Sequence, residues 1–178
     1  MSNAPVDALE RARRVRLMVF DVDGVLTDGR LWYGPQGETV KAFSAHDGMG
    51  MRLLAESGVA LALLTSRRSE AVALRAAELR IAHVLQGSEE KHAPFAALLS
   101  QLGLPPEQAG YMGDDLVDLP VLRRCGFACA PAGAPGVVQQ HSHYVTSSDA
   151  GAGAVREVCE FVLRAQGKLE SALAAYLA

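Results

Sequence analysis

Phe20-Asp21-Val22-Asp23-Gly24-Val25-Leu26-Thr27 closes an apolar run, Val15 to Phe20, that reads as a buried strand. Asp21 and Asp23 stand two residues apart, so on an extended segment they share one side, and Gly24 lets the backbone turn sharply behind them. Two carboxylates this close raise one another's pKa unless a shared proton or a hard cation such as Mg²⁺ intervenes. Taken alone, the stretch reads equally as a polar turn after a strand. The segments that follow it decide between the two.

Asp28 to Phe43 holds two short β-prone runs around Gly34-Pro35-Gln36-Gly37, a hairpin signal over about residues 29–43 that carries the only tryptophan, Trp32. A two-stranded hairpin is marginal in water, so this one is expected to pack on its own domain or on another subunit. His46-Asp47-Gly48 opens a helical pattern, Met49 to Ser57, with Asp47 placed to cap it and Gly58 to stop it. Val59 to Leu64 is apolar on both faces, as a central parallel strand is, and ends in Thr65-Ser66-Arg67-Arg68-Ser69. A helix from Glu70 to Leu79 precedes a strand from Ile81 to Leu85. A helix from about His92 to Leu102 precedes a strand from Ala109 to Met112. Leu116 to Arg124 reads as helix, Phe127 to Ala130 and Tyr144 to Thr146 as short strands. Ala154 to about Ala175 is an amphipathic helical tail interrupted near Gly167. Strands alternating with helices predict an α/β fold: a Rossmann-like parallel sheet flanked by helices, in one domain over residues 1–178.

Composition narrows the function classes. With 49% hydrophobic and 21% charged residues the chain reads as globular, and its formal net charge of -3 supplies no nucleic-acid footprint. Cys125, Cys129 and Cys159 have neither zinc nor disulfide spacing and read as buried thiols in a reducing compartment. Met1 to Arg14 is polar and helix-like, and Leu17 to Phe20 is too short for a signal or a membrane span, so a cytoplasmic protein is expected. His83, His92, His141 and His143 show no ligand spacing.

In an open α/β sheet, ligands bind beyond the carboxyl ends of the strands. Four such ends carry polar groups: Asp21 and Asp23, then Thr65, then Lys91, then Asp114, Asp115 and Asp118. A carboxylate cluster for a divalent cation, a hydroxyl and an ammonium together suit phosphoryl transfer, in which positioning and charge stabilisation supply most of the catalysis. Each residue alone has a plainer reading. Thr65 is also a strand-end cap, Lys91 a helix-start lysine, and each aspartate a helix cap.

Their order and spacing resemble the haloacid dehalogenase superfamily of phosphohydrolases, with DVDGVLT as its first motif, Thr65 its second, Lys91 its third and GDDLVD its fourth. More narrowly, DVDGVLTDG, KAFSAHDGMG, LLTSRR, QGSEEK, YMGDDLVDLPVL and GAVREVCEFVLRAQGKLE resemble the 3-deoxy-D-manno-octulosonate 8-phosphate phosphatases, a subgroup with no separate cap domain. The resemblance implies Asp21 as a nucleophile forming an aspartyl-phosphate, Asp23 as acid and base, and Thr65 and Lys91 holding the phosphoryl oxygens. It implies Mg²⁺ held by Asp21, Asp114 and the backbone carbonyl of Asp23. Asp115 and Asp118 would orient Lys91 and the metal's waters, and Lys41, His46, Asp47 and Arg67 become candidates for holding the substrate. It implies too a homotetramer in which hairpins pair and a neighbouring subunit covers each site.

The sequence departs from the subgroup in motif II, where Thr65-Ser66-Arg67-Arg68 stands for the common TGR with Arg67 retained, and at two positions that lack an expected arginine. His46 stands where it usually has Arg, and Gly151-Ala152-Gly153-Ala154 where it often has GGRGA. Histidine cannot grip a carboxylate bidentately as Arg does. A phosphatase for a nine-carbon sialic-type sugar acid, or for another sugar phosphate, is therefore the alternative activity. A non-catalytic scaffold is the alternative class, and the complete set of motifs argues against it.

Overall fold

The computed structural model describes residues 6–177. After α1 (Val6–Arg13), β1 (Leu17–Phe20) enters a six-stranded sheet completed by β4 (Ala60–Thr65), β5 (His83–Gln86), β6 (Ala109–Met112), β7 (Phe127–Ala130) and β8 (Tyr144–Val145). Every pairing is parallel, in the order β5-β4-β1-β6-β7-β8. The chain leaves β1 for β4 and β5 on one side, then crosses back to β6, β7 and β8 on the other. The crevice beyond β1 is thus the point where strand order reverses, the place where such sheets take ligands. The part of the N-terminal helical reading that covers residues 1–5 lies outside the described residues.

β1 is buried on both faces, which is why it reads as a continuous apolar run rather than an alternating one. Met18 and Phe20 join one core with α2 (Ala45–Glu56), α3 (Glu70–Glu78) and α7 (Ala154–Ala165). Leu17 and Val19 join the other with α4 (His92–Leu102) and α5 (Leu119–Leu122). α7 buries eight of its twelve residues, and Phe161 stacks between Tyr144 and Phe127, 4.2 and 5.8 Å between ring centres. The tail breaks at Gly167 as expected, and α8 (Leu169–Ala174) follows. All three cysteines are buried and unpaired, and burial raises their thiol pKa values. No helix among the described residues is long and apolar enough to cross a membrane.

Three local expectations are corrected. The second helix begins at Ala45, and Ser44 caps it, its Oγ accepting the Asp47 N–H at 3.3 Å. Asp47 is therefore not the cap of its own helix. The stretch Leu116 to Arg124 is not one helix. A 3₁₀ turn, Leu116–Asp118, is closed by reciprocal capping between Asp115 and Asp118 and then gives way to α5. Pro120 has no N–H for the next α-helical bond, so the helix restarts around it. The short α6 (Gly136–Gln140), which opens just after Pro135, is absent from the pattern-based reading.

The hairpin forms as read, from β2 (Trp32–Gly34) and β3 (Gly37–Val40), and stays a separate two-stranded sheet. Its outer face is apolar and open to solvent, with Trp32 57% and Val40 58% exposed.

Candidate active site

Asp21 is set at the sheet's edge by its own backbone, whose N–H donates to the Met112 carbonyl at 2.9 Å. The turn after it is pinned by Thr27, whose Oγ1 accepts the N–H groups of Gly24 (3.4 Å) and Gly29 (3.2 Å) and donates to the Val22 carbonyl. Gly24 has φ +84°, and a β-carbon there would overlap Asp114 Oδ2. Only glycine allows the first turn to lie this close to the loop after β6.

Asp21 Oδ1 accepts the Val22 N–H at 2.7 Å, and Lys91 Nζ lies 2.7 Å from Asp21 Oδ2 and 2.7 Å from Asp118 Oδ1. Lys91 is 1% exposed. Burial by itself would lower its pKa, but the two carboxylates prevail and the net shift is upward. Asp118 has no spare capacity. Its Oδ1 also accepts the Tyr111 hydroxyl at 2.6 Å, and its Oδ2 accepts the N–H groups of Asp114 (3.0 Å) and Asp115 (3.1 Å). It holds Lys91 from behind and shapes the Gly113-Asp114-Asp115 turn. Asp115 faces solvent and caps the Leu116 N–H at 2.7 Å.

These side chains surround a cleft of about 300 Å³ lined by Asp21, Asp23, Thr65, Ser66, Arg67, Lys91, Asp114 and Asp115, with Gly29, Leu31 and Val117 at its mouth. Thr65, at the end of β4, is buried, and its Oγ1 accepts the Arg67 N–H at 3.3 Å. Carboxylate oxygens of Asp21, Asp114 and Asp118 come within 4.8 Å of one another. Burial first, and neighbouring negative charge second, push both Asp21 and Asp114 up to about 7. A pocket of hard oxygens that resists ionisation is relieved by a small divalent cation. Of the three, Asp21 and Asp114 keep lone pairs for it, whereas Asp118 is fully engaged.

The substrate-contact candidates separate. Arg67 lines the cleft. Lys41 stands behind it, with its ammonium on Asp23 and 2.8 Å from Glu38 Oε1. Asp47 is buried away from the cleft, and its two oxygens accept the N–H groups of Arg156 (2.8 Å) and Gly153 (3.4 Å). His46 is exposed and lines a different depression, between the starts of α2 and α7, together with Ala152. Both positions that lack the expected arginine thus face the same place. Glu38 and Tyr111 escaped the sequence reading. Opposite charge three positions from Lys41 is a faint signal for Glu38, while nothing local marks Tyr111.

The comparisons with known proteins bear on this arrangement. No protein-family model matches the chain. The 3-deoxy-D-manno-octulosonate 8-phosphate phosphatase KdsC of Yersinia pestis is 45% identical over 166 residues, spanning 93% of this chain and 89% of its own. The chain belongs to the 3-deoxy-D-manno-octulosonate 8-phosphate phosphatase family of the haloacid dehalogenase superfamily. A crystal structure of the Yersinia pestis phosphatase superposes with a TM-score of 0.90 at 44% identity, covering 93% of this chain and 89% of that one. The family member from Moraxella catarrhalis, in complex with a magnesium ion, a phosphate ion and a KDO molecule, superposes with a TM-score of 0.93 at 37% identity over 99% of both chains. The family fold therefore extends through the hairpin and the helical tail.

Proposed function

We propose that the chain is a Mg²⁺-dependent phosphatase that releases phosphate from 3-deoxy-D-manno-octulosonate 8-phosphate in lipopolysaccharide precursor synthesis in the cytoplasm. The observation that carries this is the Asp21 carboxylate, anchored on one oxygen by the Val22 N–H and on the other by Lys91, in a cleft that also holds Asp23, Thr65 and Asp114.

The Asp21 carboxylate attacks phosphorus. The bond from phosphorus to the sugar oxygen breaks, and that oxygen leaves with the proton of Asp23. Water, deprotonated by Asp23, then attacks the phosphorus of the aspartyl-phosphate, releasing inorganic phosphate, freeing the Asp21 carboxylate and returning Asp23 to its protonated form. Lys91 and the Thr65 hydroxyl hold phosphoryl oxygens, and Lys91, fixed by Asp118, cannot drift as charge moves. Mg²⁺ held by Asp21, Asp114 and the Asp23 carbonyl supplies the positive charge that lets a phosphate dianion enter among carboxylates. Arg67, at the cleft wall, meets the sugar acid.

Closing this site against water falls to assembly. Trp32 and Val40, paired across the hairpin, expose an apolar face, and pairing hairpins around the axis of a homotetramer buries it. The tail from Arg164 onward is then available to cover a neighbour's cleft, and Tyr176 and Leu177 are exposed on it. Residues 1–178 act as one domain without a cap, the hairpin serving as flap.

His46 and Ala152, sharing one depression, favour a second reading in which the substrate is a nine-carbon sialic-type sugar acid phosphate. A panel of sugar phosphates ranked by kcat/KM, run with Mg²⁺ and with EDTA, decides. The eight-carbon acid should rank first and EDTA should abolish turnover. Hexose phosphates ahead by about tenfold, a difference of about 1.4 kcal/mol, would end the assignment of the substrate. Asp21→Asn should have no measurable turnover, and near-normal activity would remove Asp21 as nucleophile.

A further inference from the structure

Asp23, Lys41, Glu38 and Arg67 form a closed ring of alternating charge. Lys41 Nζ bridges Asp23 Oδ1 and Glu38 Oε1, the latter at 2.8 Å. Arg67 closes the other side, with Nη1 3.7 Å from Glu38 Oε2 and Nε 3.9 Å from Asp23 Oδ2. Each of the four carboxylate oxygens thus faces a cation, and each cation faces both carboxylates. The ring joins two separate parts of the molecule. Asp23 and Arg67 follow β1 and β4, whereas Glu38 lies on β3 of the hairpin and Lys41 in the segment that leaves it. Arg67 Nη1 also donates to Tyr33 Oη on β2, at 3.0 Å.

The Lys41 side chain is 2% exposed and already lies between two carboxylates, and neither Lys41 nor Glu38 lines the cleft. A buried ammonium with both partners in place has no free face for a sugar acid, and removing one partner of such a group costs far more than removing a surface pair. Asp23, by contrast, does line the cleft. Glu38 connects to the cleft through Lys41, which leads to Asp23, and through Arg67, which leads to Asp23 and lines the cleft itself, so esters without a sugar acid isolate the path to Asp23.

We propose that Glu38 and Lys41 are positioning residues for Asp23. The ring makes the seat of the hairpin and the direction of the Asp23 carboxylate one variable, so proton delivery to the leaving oxygen requires a docked hairpin. Lys41 thereby serves the acid and not the substrate. The inference rests on the proposed role of Asp23, and its test keeps the two separable.

The experiment compares kcat/KM for p-nitrophenyl and phenyl phosphate. Neither carries a sugar, and they differ in how much the leaving oxygen needs a proton. Glu38→Gln, which preserves side-chain shape, should lower kcat/KM for phenyl phosphate about tenfold and for p-nitrophenyl phosphate less than about twofold. Lys41→Met should do the same more strongly, and Lys41→Arg should recover part of the loss. Added to Asp23→Asn, Glu38→Gln should cost nothing further, because two residues that act as a unit are not additive. Equal losses on both esters, or an additive loss in the double variant, would overturn the inference. If Asp23→Asn itself kept the wild-type dependence on leaving group, the assignment of Asp23 would fall as well.

Discussion

Oδ1 of Asp47, on the first turn of α2, accepts the backbone N–H of Arg156, on the first turn of α7, at 2.8 Å. α7 opens at Gly153, which has no side chain to satisfy the N–H groups of its first turn, and Asp47 supplies the missing oxygen from another helix. Burial raises the Asp47 pKa, with the Arg156 and Gly153 N–H groups acting against it. Cap and site are connected, since the Gly151 N–H donates to the Val25 carbonyl inside the DxD turn at 3.1 Å. Asp47→Ala should lower stability by about 2 kcal/mol, a lost cap plus stranded buried donors. Urea denaturation measures it, and KM below the transition should hold. An unchanged midpoint with a tenfold rise in KM, equivalent to about 1.4 kcal/mol, would instead make Asp47 a substrate contact.

Gly24 offers a sharper probe of the carboxylate pocket. With φ +84° and Asp114 Oδ2 in the space a β-carbon would take, Gly24→Ala combines a left-handed backbone, about 1 kcal/mol of strain, with displacement of Asp114. Activity at saturating substrate should fall about a hundredfold, with the Mg²⁺ concentration for half-maximal rate raised by at least about tenfold. A Mg²⁺ titration of kcat reads both, and a variant with an unaltered titration curve would show that Asp114 takes no part in holding the cation.

The raised Asp21 and Asp114 pKa values set a pH dependence for the metal-free chain. Both titrate at about 7 when folded, above their ordinary 3.8. The folded state therefore holds more protons than the unfolded state between those values. Its stability from these groups is greatest below the lower value and falls as pH rises through the higher one. Mg²⁺ and protons compete for the same oxygens. The increase in Tm on adding Mg²⁺ should accordingly grow between about pH 5.5 and about pH 8. Scanning fluorimetry across that range, with EDTA as reference, tests this. A shift independent of pH would mean that the cation binds elsewhere.

Assembly is testable through Trp32, 57% exposed on an apolar hairpin face. Light scattering should give a mass several-fold above the 18.9 kDa of one chain. Trp32→Asp, a charge placed in the buried centre of a hairpin pair, should dissociate the particle and reduce kcat/KM. A fully active monomer at micromolar concentration would remove the shared-site proposal.

Much of this protein was readable from local pattern. Apolar runs such as Val59 to Leu64 and the strand ends that follow them set the α/β order and put Asp21, Thr65, Lys91 and Asp114 at one edge, because alternating strands and helices leave few ways to build a parallel sheet. The Gly-Pro-Gln-Gly turn announced the hairpin, since turn chemistry is local. What each charged group touches was decided only by the tertiary structure. Asp47 and Arg156 are 109 positions apart, and only the packing of α2 on α7 makes one the cap of the other. The resemblance implies that Asp118 orients Lys91, but the rest of its engagement, with Tyr111 and two backbone N–H groups, appears only in the fold. Glu38 comes to share Lys41 and Arg67 with Asp23 only because the hairpin folds back toward the turn that follows β1. Secondary structure follows short-range periodicity, whereas the partner of a carboxylate depends on which distant surfaces meet and how much water they exclude.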